Sequence, residues 1–253
     1  LDDRTSKLQR RAISNQLHSC SEFCCEVSAW RDVFGLIMDD EGLRMLFARE
    51  YDDGRLEVQT RIPDATLGLK SYDAYDLKRG YICTATDCKD DHSTQQPDKR
   101  LSQALLQSMM NNPAYSLIMD GVWGKADILF PFAVYEAKKR AVKHEEAENQ
   151  IYNACKVYMA MLDDLARNPN NVAEYQTTAT KISSSRSRLT AHNGRFFLHG
   201  VMGPTVHLEF NTTIWEGDVM HFSRAFQLIC IVDQIHDYAF HQHRDFVMKH
   251  LEA

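Results

Sequence analysis

A chain of 253 residues with 44% hydrophobic and 25% charged residues can bury a substantial core, enough for one large domain or a domain with insertions. Its net charge of −6 at pH 7 gives no overall basic footprint, which argues against tight sequence-independent binding to nucleic acid. A catalytic groove can still be locally basic on an acidic protein. No apolar run approaches the ~20 residues needed to cross a bilayer, so no membrane partner is expected.

In chain order, the pattern from Leu8 to about Arg49 predicts helices. Trp30, Phe34, Leu36, Ile37, Leu43, Leu46 and Phe47 recur at spacings near three and four, with a break at Asp39-Asp40-Glu41-Gly42. Residues 1–50 thus form a helical N-terminal region. The chain opens with LDDRTSKLQRR, which has no signal core, and the absent initiator Met is expected of a trimmed chain or a fragment. Cys20, Cys24 and Cys25 fall in helix-like text, and Cys83 and Cys88 flank a polar loop. Neither group has the paired spacing of a zinc site, and the scattered thiols suit a reducing intracellular compartment, nuclear or cytoplasmic.

Strand text follows in RLEVQTRI and, past Pro63, in DATLGLKSY. A proline there suits a bend or an edge. The polar stretch 84–100 reads as an insertion loop, and LSQALLQSMM as a short helix stopped by Asn111-Asn112-Pro113. GKADILF and then FPFAVYEAKK read as strands, and a long helix is expected over His144 to Arg167, with Ile151, Cys155, Tyr158, Leu162 and Leu165 on one stripe. The Ser/Thr-rich stretch TTATKISSSRSRLTAHNGR reads as a loop or a frayed element. RFFLHGVM and VHLEFNTTIW form a strand pair turning at Gly203-Pro204. Asp218 is placed to cap a last helix carrying Phe222, Phe226, Ile229, Val232, Ile235 and Phe240. This order predicts an α/β (α+β) fold in one domain, a sheet layered with helices.

The chemistry centres on carboxylates. In a strand, Glu136 and Lys138 point to one side while Ala137 and Lys139 point to the other. The bland account is a strand end with a solvated ion pair of little value. Asp64, in RIPDATLGL, and Asp127, in GKADILF, are the acidic residues of strand text that can stand beside Glu136. Carboxylates gathered this way repel and need a cation, and hard oxygens suit Mg²⁺ or Mn²⁺. A lysine beside the ion can orient or deprotonate water, which together make a phosphodiester-cleaving centre.

These residues carry a resemblance. Pro63-Asp64, Glu136-Ala137-Lys138, the tail from Ile214 to Ala239, and the helix text CCEVSAWRDVF with Glu26 and Trp30 resemble the fungal PD-(D/E)XK nuclease-like domain proteins of the PD-(D/E)XK nuclease superfamily. The resemblance spans nearly the whole chain. It implies a central mixed sheet flanked by helices, a restriction-endonuclease-like core, with Glu26, Asp64, Glu136 and Lys138 as catalytic residues and Asp64 and Glu136 on the metal. The partner it implies is nucleic acid, DNA in preference to RNA. The literal Pro-Asp favours Asp64, with Asp127 as the alternative, and Gln150 on the following helix is an accessory that can meet phosphate or water. Trp30 reads as a core anchor rather than a base-stacking platform. His221, His236, His241 and His243 crowd the last helix and read as surface or core residues. The cluster Lys138-Lys139-Arg140 with Lys143 can meet a phosphate backbone, although Glu145, Glu146 and Glu148 dilute it. The competing function is a catalytically inactive fold that serves as a nucleic-acid or protein interaction module.

Overall fold

The computed structural model describes residues 1–40, 42–47, 65–79, 97–112, 128–135, 144–166, 187–192, 195–202 and 208–251. The N-terminal third is helical at first: α1 (Asp2–Leu17), α2 (Glu22–Asp32) and the short α3 (Gly35–Asp39). Ser21 starts α2 by accepting a hydrogen bond from the Cys24 backbone N–H at 3.3 Å, satisfying one of the donors that a helix start leaves over. The helical periodicity does not continue to Arg49. Leu43–Phe47 is strand β1, because the same five apolar-rich residues pair antiparallel with β2 (Ala65–Lys70). After α4 (Ala74–Arg79) and a 3-10 turn (Lys99–Leu101), Ser102 caps α5 (Gln103–Asn111), which stops before Pro113 as expected.

Strand β3 (Ile128–Tyr135) pairs antiparallel with β2, and α6 (His144–Ala166) follows. Then come β4 (Ser187–His192), β5 (Arg195–Met202) and β6 (Leu208–Glu216), and the chain ends in α7 (Phe222–Tyr238), a π-helical turn (Ala239–His243) and α8 (Arg244–Leu251). The stretch read as a Ser/Thr-rich loop therefore contains β4, and the β5–β6 pair is antiparallel as its sequence suggests. Asp218 does not cap α7. Its Oδ1 accepts from the Met220 N–H at 2.9 Å in the turn before it, and His221 occupies the cap position. The strand text at RLEVQTRI and most of the polar stretch 84–100 lie outside the described residues.

The expected central mixed sheet with a restriction-endonuclease-like core is corrected here. The described residues are mostly helical, and the sheet at their centre is a two-stranded antiparallel one. That central pair is β2–β3. Ala65, Leu67 and Leu69 with Leu129, Phe130, Phe132 and Ala133 join one buried cluster with Leu8 of α1, Ile37 of α3, Ile229 and Val232 of α7, and Val247 of α8. Val134 lies in a second cluster with Ile151, Ala154, Cys155, Tyr158 and Met161 of α6. The backbone ladder does extend in the order β1-β2-β3-β4-β5-β6, with three parallel register pairs between β3 and β4. Of β4 to β6, however, only Trp215 enters the described core. A sheet is central only where helices cover both faces. Apolar runs such as FPFAVY mark that condition for β3, and carry no information on the strands further out.

Tertiary polar contacts lock the helical layers. Arg4 Nη1 donates to Asp233 Oδ1 at 2.7 Å and Gln9 Nε2 to the Met220 carbonyl at 2.8 Å, so α1 is fixed along α7. Asp32, buried at the end of α2, lies 2.7 Å from Arg11 and 3.7 Å from Lys7. Trp30 packs against the main core, which makes it an anchor.

Candidate functional site

In sequence, Asp64 precedes the first residue of β2 and Glu136 follows the last residue of β3. Asp64, Glu136, Lys138 and Asp127 are outside the described residues, as are Lys139, Arg140 and Lys143. Glu26 belongs to α2 and Gln150 to α6 by their backbones, and their side chains are not described. The immediate neighbours of the two central carboxylates are described. Ala65, which follows Asp64, is the direct register partner of Tyr135, which precedes Glu136. Ile128, which follows Asp127, pairs with Lys70 at the other end of the same two strands.

One face of this strand pair is tied to α6. Thr66 Oγ1 and the Tyr158 hydroxyl share a buried hydrogen bond of 3.1 Å. Thr66 and Val134 are register partners, and Val134 lies in the α6 cluster with Ile151. Alternation places Ala65, Leu67 and Ala133 on the opposite, main-core face.

The β2–β3 ladder is irregular in its middle. Leu67 pairs with Ala133 and Leu69 with Leu129, so Gly68 alone stands against Phe130, Pro131 and Phe132. This bulge accommodates Pro131, which has no N–H to give to a ladder. It also holds Phe130 at φ 44°, in the left-handed region that a bulky side chain rarely occupies. His243, from the π-helical turn, donates from Nε2 to the Phe130 carbonyl at 2.7 Å. Its ring meets Phe132 edge-on at 5.6 Å.

A second buried histidine works similarly. His236 Nε2 donates to Asp40 Oδ2 at 2.8 Å, and Asp40 Oδ1 accepts from the Gly42 N–H at 2.7 Å. The sequence contains a signal for both. Val232, His236, Ala239, His243 and Val247 recur at intervals of three and four, so these histidines sit on the apolar stripe of the terminal helices, where burial demands a partner. His221 and His241 are exposed. Asp39-Asp40 read from sequence only as a helix break.

Among the described residues, no three His, Cys, Asp or Glu side chains gather as a metal site, and Cys20, Cys24, Cys25, Cys155 and Cys230 are in no disulfide. Cys20 is hydrogen-bonded to Cys24, which pushes its thiol pKa up. No helix among the described residues is long and apolar enough to cross a membrane. Compared with family models, curated proteins and solved structures, the chain matches none.

Proposed function

We propose that this chain is a metal-dependent nuclease that hydrolyses phosphodiester bonds of nucleic acid, DNA in preference to RNA, at a centre built on Asp64, Glu136 and Lys138. The observation that carries this reading is the Ala65–Tyr135 register pair. Paired Cα atoms lie about 4.5–5.5 Å apart, so the residues that adjoin Asp64 and Glu136 in sequence are brought together. Asp127 adjoins Ile128, whose register partner Lys70 lies five residues from Ala65, about 17 Å along β2. This supports Asp64, in preference to Asp127, as the carboxylate that accompanies Glu136.

Alternation supports the same grouping. Thr66 and Val134 share the face covered by α6, and strands continued past Ala65 and Tyr135 would bring positions 64, 136 and 138 to that same face. Gln150 immediately precedes Ile151 of that covering cluster.

The donor set fits a hard divalent ion, Mg²⁺ or Mn²⁺, with Asp64 and Glu136 as the residues that hold it. Such an ion, when bound, polarises the phosphoryl group and lowers the pKa of water. The Lys138 ammonium orients the attacking water and stabilises negative charge developing on the phosphoryl oxygens. Glu26 of α2 adds a third carboxylate, and Gln150 binds phosphate or water. The test is a cleavage assay on single- and double-stranded DNA and RNA with Mg²⁺ or Mn²⁺. Cleavage by the parent chain that falls at least about a hundredfold in Asp64→Asn and persists in Asp127→Asn is expected. A parent chain that cleaves none of the four substrates overturns the reading.

A further inference from the structure

We infer that His243 is a positioning residue: its hydrogen bond to the Phe130 carbonyl holds the β3 bulge and thereby sets the register in which Ala65 meets Tyr135. The register pairs give the reason. From Leu69↔Leu129 to Leu67↔Ala133, β2 advances by two residues and β3 by four. A regular ladder continued from Leu69↔Leu129 would instead set Ala65 against Ala133. The bulge thus adds two residues to β3, which leaves each side chain on its own face and moves the end of β3 along β2 by about 6.6 Å.

Pro131 disfavours an uninterrupted ladder but does not choose the register beyond it, and Phe130 at φ 44° is strained. A conformation of that kind persists only where its surroundings over-determine it. Here the surroundings are His243, itself 2% exposed, which donates to the Phe130 carbonyl at 2.7 Å and packs its ring against Phe132 and Tyr238. The π-helical turn from Ala239 to His243 contributes to this placement, since one wide turn rotates the residues that follow relative to α7. Under the nuclease reading, on which this consequence rests, the same two residues decide whether Tyr135, next to Glu136, or Ala133 stands opposite Ala65, next to Asp64.

Register can be read without any activity. Two cysteine pairs, Ala65→Cys with Tyr135→Cys and Ala65→Cys with Ala133→Cys, are placed in the full chain with its native cysteines. Each is oxidised by diamide, which accepts the two thiol hydrogens as the disulfide forms, and cross-links are identified by peptide mass spectrometry. The 65–135 link is expected to form at least about tenfold faster than the 65–133 link in the parent and in His243→Gln, which keeps a donor. The preference is expected to reverse in His243→Leu. A folded His243→Leu chain that keeps the parental preference overturns the inference. If that chain does not fold, His243→Gln decides: retention of the 65–135 preference supports the inference, and its loss in a folded protein overturns it. Cleavage is measured on the same histidine variants without the added cysteines. A shifted register in a chain whose parent cleaves nothing leaves the role of His243 standing and removes the nuclease reading.

Discussion

His236 of α7 donates a 2.8 Å hydrogen bond to Asp40, the residue that ends α3, and both side chains are buried. Asp40 uses its other oxygen to accept the Gly42 N–H, so one carboxylate fastens the last long helix to the entry of β1. Removing one partner of a buried polar pair costs more than the pair contributes, because the remaining group loses its compensation. Asp40→Ala is therefore expected to lose about 3 kcal/mol in urea denaturation, and Asp40→Asn, which keeps an acceptor oxygen, about 1 kcal/mol. The double variant Asp40→Ala with His236→Leu should recover part of the loss. Strict additivity of the two single changes would show that the contact is energetically idle.

Asp98 offers a pH signature. It accepts from the Arg100 Nε at 2.9 Å, and Arg100 Nη1 reaches the Met248 carbonyl at 3.2 Å, linking the 3-10 turn to α8. The hydrogen-bonded Arg100 guanidinium holds the Asp98 carboxyl below the ordinary carboxylate range, against the opposing effect of burial. A carboxylate depressed in the folded state contributes stability above its unfolded pKa, and that contribution fades as pH falls through the folded value. Asp98→Asn should thus cost up to about 1 kcal/mol near pH 7, the scale of a partly exposed pair. The difference from the parent should vanish in strong acid. A gap that stays constant from pH 7 to pH 2 would assign the loss to packing instead.

Metal binding can be tested without substrate. A ligand that binds only the folded chain at ten times its Kd adds about 1.4 kcal/mol, which for a protein of this size raises Tm by roughly 3–6 °C. Millimolar Mg²⁺ or Mn²⁺ should produce such a rise in the parent and in Asp127→Asn, and none in Asp64→Asn. Asp127 serves as the control because Ile128 and Tyr135 stand at opposite ends of β3. An unchanged parent melt, with folding intact, favours an interaction module over an enzyme.

What the sequence disclosed follows from how locally each element is determined. The stripe of Ile151, Cys155, Tyr158 and Leu162 marked α6 almost to its last residue, and Asn111-Asn112-Pro113 marked the end of α5, because those signals lie within or next to the elements themselves. Leu43–Phe47 misled, since five apolar-rich residues satisfy either period and only pairing with β2 decides. β4 was hidden because SRLTAH is polar and is a strand only through its neighbours β3 and β5. The likeness to a mixed nuclease sheet rested on short motifs and helix text, none of which fixes how many strands pair at the centre. For the candidate site, Pro63-Asp64 and Glu136-Ala137-Lys138 were visible as words. That Ala65 meets Tyr135 was not, because the register depends on a bulge held by a histidine 113 residues away.

The catalytic role of lysine is open to a paired substitution. Lys138 and Lys139 are adjacent and carry the same charge, and strand alternation assigns them to opposite sides. Lys138→Ala should reduce cleavage by about a hundredfold or more with folding intact, since a solvated strand-end lysine contributes little to stability. Lys139→Ala removes the same charge and should keep most of the activity. Equal losses in the two would mean that the cluster with Arg140 and Lys143 attracts phosphate through its summed field, which predicts a loss that shrinks as salt is raised. A direct role for Lys138 predicts a loss in turnover that added salt does not restore. Turnover measured for both variants at low and high ionic strength separates the two outcomes, and a Lys138→Ala chain that unfolds points to a buried structural ion pair instead.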